Sequence, residues 1–175
     1  MRVTIRLVEN PDATAVGALP RIGNRRLFVL VGIPGAGKTT YARAHLSGAV
    51  RISLDDIRLM LTGVAFSPRH ESIVGAIANS ALDIALTSSR RRGHDVVFDA
   101  TCINRKWRGE SIRRAIANGV QPHCVFFDVP LALALERNRA RPQPVPDVAI
   151  VRFYRQLQPP SLDEGFVEVN VISQT

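Results

Sequence analysis

Apolar stretches of strand length alternate with amphipathic stretches of helix length through most of this sequence. Residues 27–31 form an unbroken apolar run, which is typical of a strand buried on both faces of a sheet. Residues 68–92 repeat apolar positions at helical spacing, which predicts a long amphipathic helix. The pattern predicts further strands at 50–53, 96–98, 125–127 and 166–172, and further helices at 39–46, 55–61, 105–118, 131–140 and 147–157. Strands that alternate with helices predict an α/β fold, in which a parallel sheet is flanked by helices on both faces.

The apolar positions of two helices also predict which side chains enter the core. The helix at 105–118 is expected to bury Ile112, Ala115 and Ile116. The long amphipathic helix has two adjacent apolar stripes: Ile73, Ile77, Ala81 and Ile84 in one, and Val74, Ala78, Leu82 and Ala85 in the other.

The first 26 residues differ from the rest of the chain. Val3, Ile5 and Leu7 alternate with other residues, which predicts an edge strand, and a loop with several Pro and Gly residues follows it. A length of 175 residues suits one domain. We therefore divide the chain into an N-terminal extension at 1–26 and a domain at 27–175.

The sequence Gly-Ile-Pro-Gly-Ala-Gly-Lys-Thr at 32–39 matches the pattern G-x-x-x-x-G-K-[ST] and stands between a predicted strand and a predicted helix. Glycines with positive φ let backbone N–H groups point inward at a polyphosphate, and the helix N-terminus adds positive charge. Lys38 is expected to reach the β- and γ-phosphates of a nucleoside triphosphate, and Thr39 is expected to ligate Mg²⁺. The predicted nucleotide-binding residues of this loop are Gly32, Pro34, Gly35, Ala36, Gly37, Lys38, Thr39 and Thr40.

Two missing motifs narrow the class of P-loop protein. An AAA+ motor usually has Asp-Glu at the end of an apolar strand, whereas Asp99 and Asp128 are followed by Ala and Val. A GTPase usually has Asn-Lys-x-Asp, and neither Lys38 nor Lys106 has that setting. The sequence therefore favours a compact phosphotransferase, which also needs an acceptor site and a general base.

Asp55 and Arg58 follow the strand at 50–53 and are candidates for acceptor chemistry. They stand three residues apart, so they share a face of the predicted helix. Asp55 could accept a proton from an attacking hydroxyl, while Arg58 could bind a phosphate of the acceptor. A structural alternative is helix capping, because Ser53 and Asp56 fit the capping box S-x-x-[DE]. Asp55 could also be a first-turn acid that the helix dipole stabilises.

Asp99 and Asp128 each follow a predicted strand, at the edge of the sheet where ligands bind in such folds. We favour Asp99 as the acid near Mg²⁺ and Thr39, because Thr101 and Asn104 add polar groups beyond the same strand.

Arg137 and Arg141 stand where the helix at 131–140 gives way to a Pro-rich loop. They are expected to form an Arg-bearing lid that closes over the triphosphate and offsets negative charge in the transition state. The structural alternative is that these cations only complement the dipole of the helix.

Composition adds little to this picture. The net charge of +8 and the pI of about 10.9 favour polyanionic partners, although 21 of the 23 basic residues are Arg, which a GC-rich genome also produces. Cys102 and Cys124 are far apart, which excludes a disulfide scaffold and predicts core or loop thiols in a cytoplasmic protein. Trp107 is expected to have a packing role. No stretch approaches the roughly 20 apolar residues that cross a bilayer, so no membrane partner is expected.

The motifs together resemble the kinase domain of bacteriophage-type and bacterial polynucleotide 5′-hydroxyl kinases, within the adenylate-kinase-like P-loop kinases. The resemblance covers about residues 27–170 and is carried by GIPGAGKTTYAR at 32–43, ISLDDIR at 52–58, VVFDATCINRKWR at 96–108 and VFFDVPLALALERNRAR at 125–141. The tail QPPSLDEGF at 158–166 is similar to ATP-binding proteins of the same clan.

This resemblance implies ATP and Mg²⁺ as cofactors and the 5′ end of a nucleic acid as partner. It implies that Asp55 is the general base toward a ribose 5′-OH and that Arg58 holds the acceptor's phosphate. It also implies that Arg141 is the lid arginine that contacts the donor. Two positions depart from the family's pattern on the acceptor side, since Leu54 replaces a polar or basic residue and Cys102 replaces an Asn.

Two other functions remain open at this point. The departures at Leu54 and Cys102 allow a P-loop kinase of a small molecule, such as a nucleoside, sugar or antibiotic. The net charge of +8 allows an NTP-dependent nucleic-acid-binding protein without acceptor chemistry.

Overall fold

The computed structural model of the chain describes residues 3–9, 25–64 and 67–174. The strands of this part are β1 (Val3–Glu9), β2 (Arg26–Val31), β3 (Val50–Ser53), β4 (Val96–Asp99), β5 (Gln121–Asp128) and β6 (Glu168–Gln174). The helices are α1 (Lys38–His45), α2 (Leu54–Thr62), α3 (Glu71–Arg92), α4 (Arg105–Ala117), α5 (Leu131–Arg139) and α6 (Asp147–Gln156). Single 3₁₀ turns occur at Pro68–His70 and Leu162–Glu164.

The strands form one sheet in the order β1–β6–β5–β2–β4–β3. All neighbours from β6 to β3 are parallel, and β1 pairs antiparallel with β6 along its whole length. The predicted α/β fold with a parallel sheet between helices is confirmed. The carboxyl ends of β2, β3 and β4 lie side by side, since Leu30 and Ser53 both pair with Asp99. This edge of the sheet carries the candidate site.

Alternate residues of β2 enter two separate cores, which shows that both faces of the sheet are covered. Leu27 and Val29 pack with α3 and α4 in one core, and Phe28 and Leu30 pack with α1, α5 and α6 in the other. All four side chains are buried. This burial on both faces explains the unbroken apolar run in the sequence.

The strand β1 occupies the outer edge of the sheet, where Val3 pairs with Gln174 and Glu9 pairs with Glu168. The loop that the sequence predicts after it lies at 10–24, outside the described residues. The division of the chain into an extension and a domain stays a prediction.

Only one of the two apolar stripes of α3 is buried along its length. Val74, Ala78 and Leu82 are buried, whereas the side chains of Ile73 and Ile84 are 51% and 71% exposed. The two stripes lie one residue apart, which is about 100° of rotation around a helix, so only one can face the sheet. For the same reason Ile116 of α4 is exposed, although Ile112 and Ala115 are buried as expected.

Arg108 of α4 is completely buried and fixes the segment that precedes β6. Its Nε and Nη2 donate to the two carboxylate oxygens of Glu164, each at 2.6 Å. Its Nη1 donates to the carbonyls of Cys102 at 3.1 Å and Gln158 at 2.9 Å. Gln158 N also donates to the carbonyl of Ile103 at 2.8 Å. The ion pair therefore joins the loop after β4 to the tail of the chain.

Candidate active site

The phosphate-binding loop connects β2 to α1 and depends on two glycines with left-handed backbone. Gly35 has φ of 84° and Gly37 has φ of 96°, where other residues are strained. At Gly35 a Cβ atom would lie 2.2 Å from the carbonyl oxygen of Ala134 in α5. Only glycine therefore allows the loop to approach α5 this closely.

Lys38 is buried at the start of α1, and its ammonium group points back into the loop. Its Nζ donates to the carbonyl oxygens of Gly32 at 2.8 Å and Ile33 at 2.9 Å. Burial lowers the pKa of Lys38, while the carboxylates of Asp99 and Asp55 act in the opposite direction. The two carbonyls hold the ammonium group of Lys38 inside the loop, where it would contact a bound triphosphate.

Thr39 and Asp99, which the sequence predicts at a metal site, are in direct contact. Thr39 Oγ1 donates to Asp99 Oδ2 at 2.9 Å, and Arg51 Nη1 donates to the same oxygen at 2.7 Å. Asp99 is buried at the end of β4, while Asp128 is exposed and does not line the cavity described below. A hydroxyl beside one carboxylate suits Mg²⁺, which keeps several waters and takes the rest of its ligands from phosphates. The described residues contain no group of three His, Cys, Asp or Glu that could hold a metal by themselves.

Asp55 lies at the first turn of α2 between two arginines. Its Oδ1 accepts a hydrogen bond from Arg58 Nη1 at 2.7 Å, and its Oδ2 lies 3.4 Å from Arg141 Nη2. The side chain of Asp55 is half exposed, so one face of the carboxylate is accessible. Arg58 is buried and also donates from Nε and Nη2 to the carboxylate of Glu71, at 2.7 and 3.0 Å. The predicted base is therefore held by cations from α2 and from the lid.

The helix cap that the sequence suggests as an alternative role for this turn is also present in the structure. Ser53 Oγ accepts a hydrogen bond from Asp56 N at 3.2 Å, which caps α2. The carboxylate of Asp56 pairs with Arg51. The cap thus uses Ser53 and Asp56 and leaves Asp55 to the cavity.

The segment 140–146 between α5 and α6 carries Arg141 and is anchored by Asn138. Asn138 is fully buried, its Nδ2 donates to the carbonyl of Val145 at 2.7 Å, and its Oδ1 accepts from Val145 N at 3.0 Å. Arg139 pairs with Asp147 at the surface. The role of this loop as an Arg-bearing lid stays a prediction, and Asn138 is a residue that the sequence analysis missed.

A single cavity of about 730 Å³ brings most of the predicted site residues together. Those that line it are Pro34, Gly35, Gly37, Lys38, Thr39, Thr40, Asp55, Arg58, Asp99, Arg137 and Arg141. Gly32 and Ala36 are buried inside the loop and do not line it. The roles that the sequence predicts for these residues stay predictions.

The cavity also contains side chains that the sequence analysis did not assign to the site. Glu71 of α3, Glu110 of α4 and Arg152 of α6 line it, and Arg51 lies just behind Asp99. Glu71 comes 16 positions after Asp55, and only the packing of α2 against α3 brings it to Arg58. In the sequence these side chains could be noticed only because they stand at helical spacing from other residues that line the cavity. That spacing does not show which face of each helix meets the cavity.

Trp107 corrects one expectation, since it has no core packing role. Its side chain is 47% exposed and lines the cavity, because it starts α4 at the carboxyl edge of the sheet. Cys102 and Cys124 are buried, as expected for core or loop thiols. Burial raises the pKa of the Cys102 thiol to about 12 and raises that of Cys124 as well.

Replacing Gly35 by Ala is expected to destabilise the loop and remove nucleotide binding. The left-handed backbone alone costs about 1–2 kcal/mol for a residue with a Cβ, and the contact with the Ala134 carbonyl adds to it. Gly48→Ala is the control, because nothing lies within 4 Å of its Cβ position. Thermal unfolding and calorimetric titration with ATP would measure both variants. Equal affinity of Gly35→Ala and Gly48→Ala for ATP would contradict this account of the loop.

Residues 27–160 match the family model AAA_33, which is described as an AAA domain, and the chain belongs to this family. The match includes the phosphate-binding loop, Asp55, Asp99 and both lid arginines. The chain thus contains the P-loop domain of this family.

Solved structures with the same fold include kinases. A chain from the Pnkp1/Rnl/Hen1 complex is 26% identical with a TM-score of 0.54, over 65% of this chain and 38% of that chain. A gluconokinase from Sinorhizobium meliloti 1021 is 19% identical with a TM-score of 0.56, over 88% and 84% of the two chains. A sugar kinase from Janibacter sp. HTCC2649 is 17% identical with a TM-score of 0.58, over 86% and 85%. The fold is therefore that of P-loop kinases.

Proposed function

We propose that the protein transfers the γ-phosphoryl group of ATP to the hydroxyl of an alcohol. The observation that carries this proposal is the position of Asp55, which shares one cavity with the phosphate-binding loop and contacts Arg141 of the lid. A carboxylate opposite a triphosphate site is what a kinase needs and what a simple nucleotide binder does not need.

Each part of the reaction falls to residues of this cavity. The loop amides and Lys38 hold the phosphates of the donor. Mg²⁺, held by Thr39 and by Asp99 directly or through water, would neutralise charge on the phosphate oxygens. Asp55 accepts the hydroxyl proton of the alcohol while the alcohol oxygen forms a bond to the γ-phosphorus. The bond between the γ-phosphorus and the bridging oxygen breaks, ADP leaves, and Arg141 offsets the charge on the transferred group.

Two kinds of acceptor have specific support. The four motifs that resemble polynucleotide 5′-hydroxyl kinases and the 26% identity to a chain of the Pnkp1/Rnl/Hen1 complex support the 5′-OH of a nucleic acid. Leu54 and Cys102, which both line the cavity, support a small alcohol instead. No helix among residues 3–9, 25–64 and 67–174 is long and apolar enough to cross a membrane. Location in the cytoplasm stays a prediction.

The test is incubation of the protein with Mg²⁺ and ATP labelled at the γ-phosphate, together with a panel of acceptors. The panel contains 5′-OH DNA and RNA oligonucleotides, nucleosides, sugars and amino alcohols. We expect the label to appear on one class of acceptor. Release of inorganic phosphate at the same rate with every acceptor, combined with salt-sensitive binding of DNA or RNA, would replace the kinase by the nucleic-acid-binding alternative.

A further inference from the structure

The cavity has a second part, opposite the lid, that α3 and α4 line. We call this part the acceptor end and define it by Glu71 and Ala78 of α3, Phe98 of β4, and Trp107 and Glu110 of α4. It adjoins Asp55, because Arg58 bridges the carboxylates of Asp55 and Glu71. An alcohol whose hydroxyl reaches Asp55 can therefore extend into this part of the cavity.

The charges of the cavity are divided between its two sides. Arg137, Arg141 and Arg152 come from α5, α6 and the loop between them, on the side of the lid. The side formed by α2, α3 and α4 carries three carboxylates, which belong to Asp55, Glu71 and Glu110. Among the described lining residues of these three helices, the only guanidinium is that of Arg58. The acceptor end is therefore negatively charged, although the whole chain is strongly basic. A polyanion would be repelled there and a cation attracted.

Glu110 differs from the other carboxylates of the cavity. Asp55, Glu71 and Asp99 each have an arginine partner, whereas no ion pair joins Glu110 to another described residue. It is half-buried in the cavity wall, so its charge lacks both a full water shell and a counter-ion.

Trp107 stands three residues before Glu110, so the two side chains share a face of α4 and both line the cavity. An aromatic ring beside a carboxylate is a combination that binds an ammonium group, through the ring face and through the charge. Ala78 and Phe98 add an apolar wall that suits a hydrocarbon body.

We propose that the acceptor is a small alcohol that carries an ammonium group, of the class of amino alcohols and amino sugars. The ammonium group binds between Trp107 and Glu110, the carbon skeleton lies against Ala78 and Phe98, and the hydroxyl reaches Asp55. Arg58 then orients Asp55 and offsets Glu71. This inference rests on the proposed phosphoryl transfer and names the substrate class for the same site.

The experiment compares matched acceptors that differ in one group, such as glucosamine with glucose and 2-aminoethanol with ethylene glycol, beside a 5′-OH oligonucleotide. We expect kcat/KM to be about tenfold higher for the member of each pair with the ammonium group, since one such contact contributes on the order of a tenfold factor. Glu110→Gln should remove this preference by raising KM for the aminated member. Glu136→Gln is the matched control, because Glu136 is exposed on α5 and does not line the cavity.

Transfer to the oligonucleotide or to the neutral members with equal or higher kcat/KM would overturn the inference and keep the kinase. A preference that survives in Glu110→Gln would also overturn it. If no acceptor is phosphorylated, the proposed function fails, and calorimetry on the protein saturated with a non-hydrolysable ATP analogue then tests recognition alone. Binding of glucosamine but not glucose, lost in Glu110→Gln, would support the ammonium site, and equal binding of both sugars would refute it.

Discussion

Replacing Asp55 by Asn should lower kcat for phosphoryl transfer by about 10²–10⁴-fold, because a general base contributes a factor of this size. The affinity for ATP should stay within a few-fold of the unmodified protein, since the loop and Lys38 are expected to hold the phosphates and Lys38 keeps its bonds to the loop without Asp55. The side chain of Asn has the same shape, and Arg58 keeps its two hydrogen bonds to Glu71. Single-turnover transfer from labelled ATP and calorimetric titration with ATP would measure the two quantities.

Asp56→Asn is the matched control for this prediction. Asp56 is the next residue of α2, its side chain is 57% exposed, and it does not line the cavity. Its replacement removes one surface ion pair with Arg51, which is expected to change stability by less than about 1 kcal/mol. Near-normal turnover in Asp55→Asn, or an equal loss in Asp56→Asn, would show that another group takes the proton.

Replacing Arg108 by Met should lower the free energy of unfolding by about 3–5 kcal/mol, because the variant leaves the carboxylate of Glu164 buried without a partner. The side chains of Arg108 and Glu164 are 0% and 2% exposed. The carbonyls of Cys102 and Gln158 also lose their donor. In a chain of this length such a loss lowers Tm by about 10 °C. Urea unfolding followed by circular dichroism would give the free energy directly.

Arg105→Met provides the comparison, since Arg105 pairs with Asp163 across the same two segments at the surface. The side chains of this pair are 53% and 66% exposed, so water screens the pair and its loss should change the free energy of unfolding very little. The double variant Arg108→Met with Glu164→Leu should recover part of the stability, because an apolar pair replaces the unmatched charge. Similar losses for Arg105→Met and Arg108→Met would mean that burial of the ion pair has no special effect.

Local patterns were enough to predict most of the sheet and its helices. The run at 27–31 and the alternation of elements depend on burial and on periodicity, which any short window of sequence contains. The strand β5 was predicted too short, because Pro122 and His123 interrupt the apolar pattern although they pair with Leu27 and Phe28. The sequence could not show which stripe of α3 faces the sheet, since two adjacent apolar stripes are equivalent until the sheet selects one.

The sequence predicted the cavity residues that stand together in one motif or directly after a strand. It did not predict the residues that only the tertiary structure brings to the cavity. The phosphate-binding loop is one stretch, and Asp55 and Asp99 each end or follow a strand. Glu71, Glu110 and Trp107 come from two helices whose orientation depends on the tertiary structure. The division of charge inside the cavity could not be seen from a net charge of +8, which sums the whole chain.

The burial of Cys124 gives the protein an internal reporter of its own motion. A thiol reacts as the thiolate, and Cys124 is held away from water by the layers around it, which raises the pKa of its thiol. Alkylation can therefore proceed only during moments when those layers separate. The rate of labelling would measure how often the native protein opens in this way. The rate should fall when a nucleotide binds, because binding stabilises the closed state.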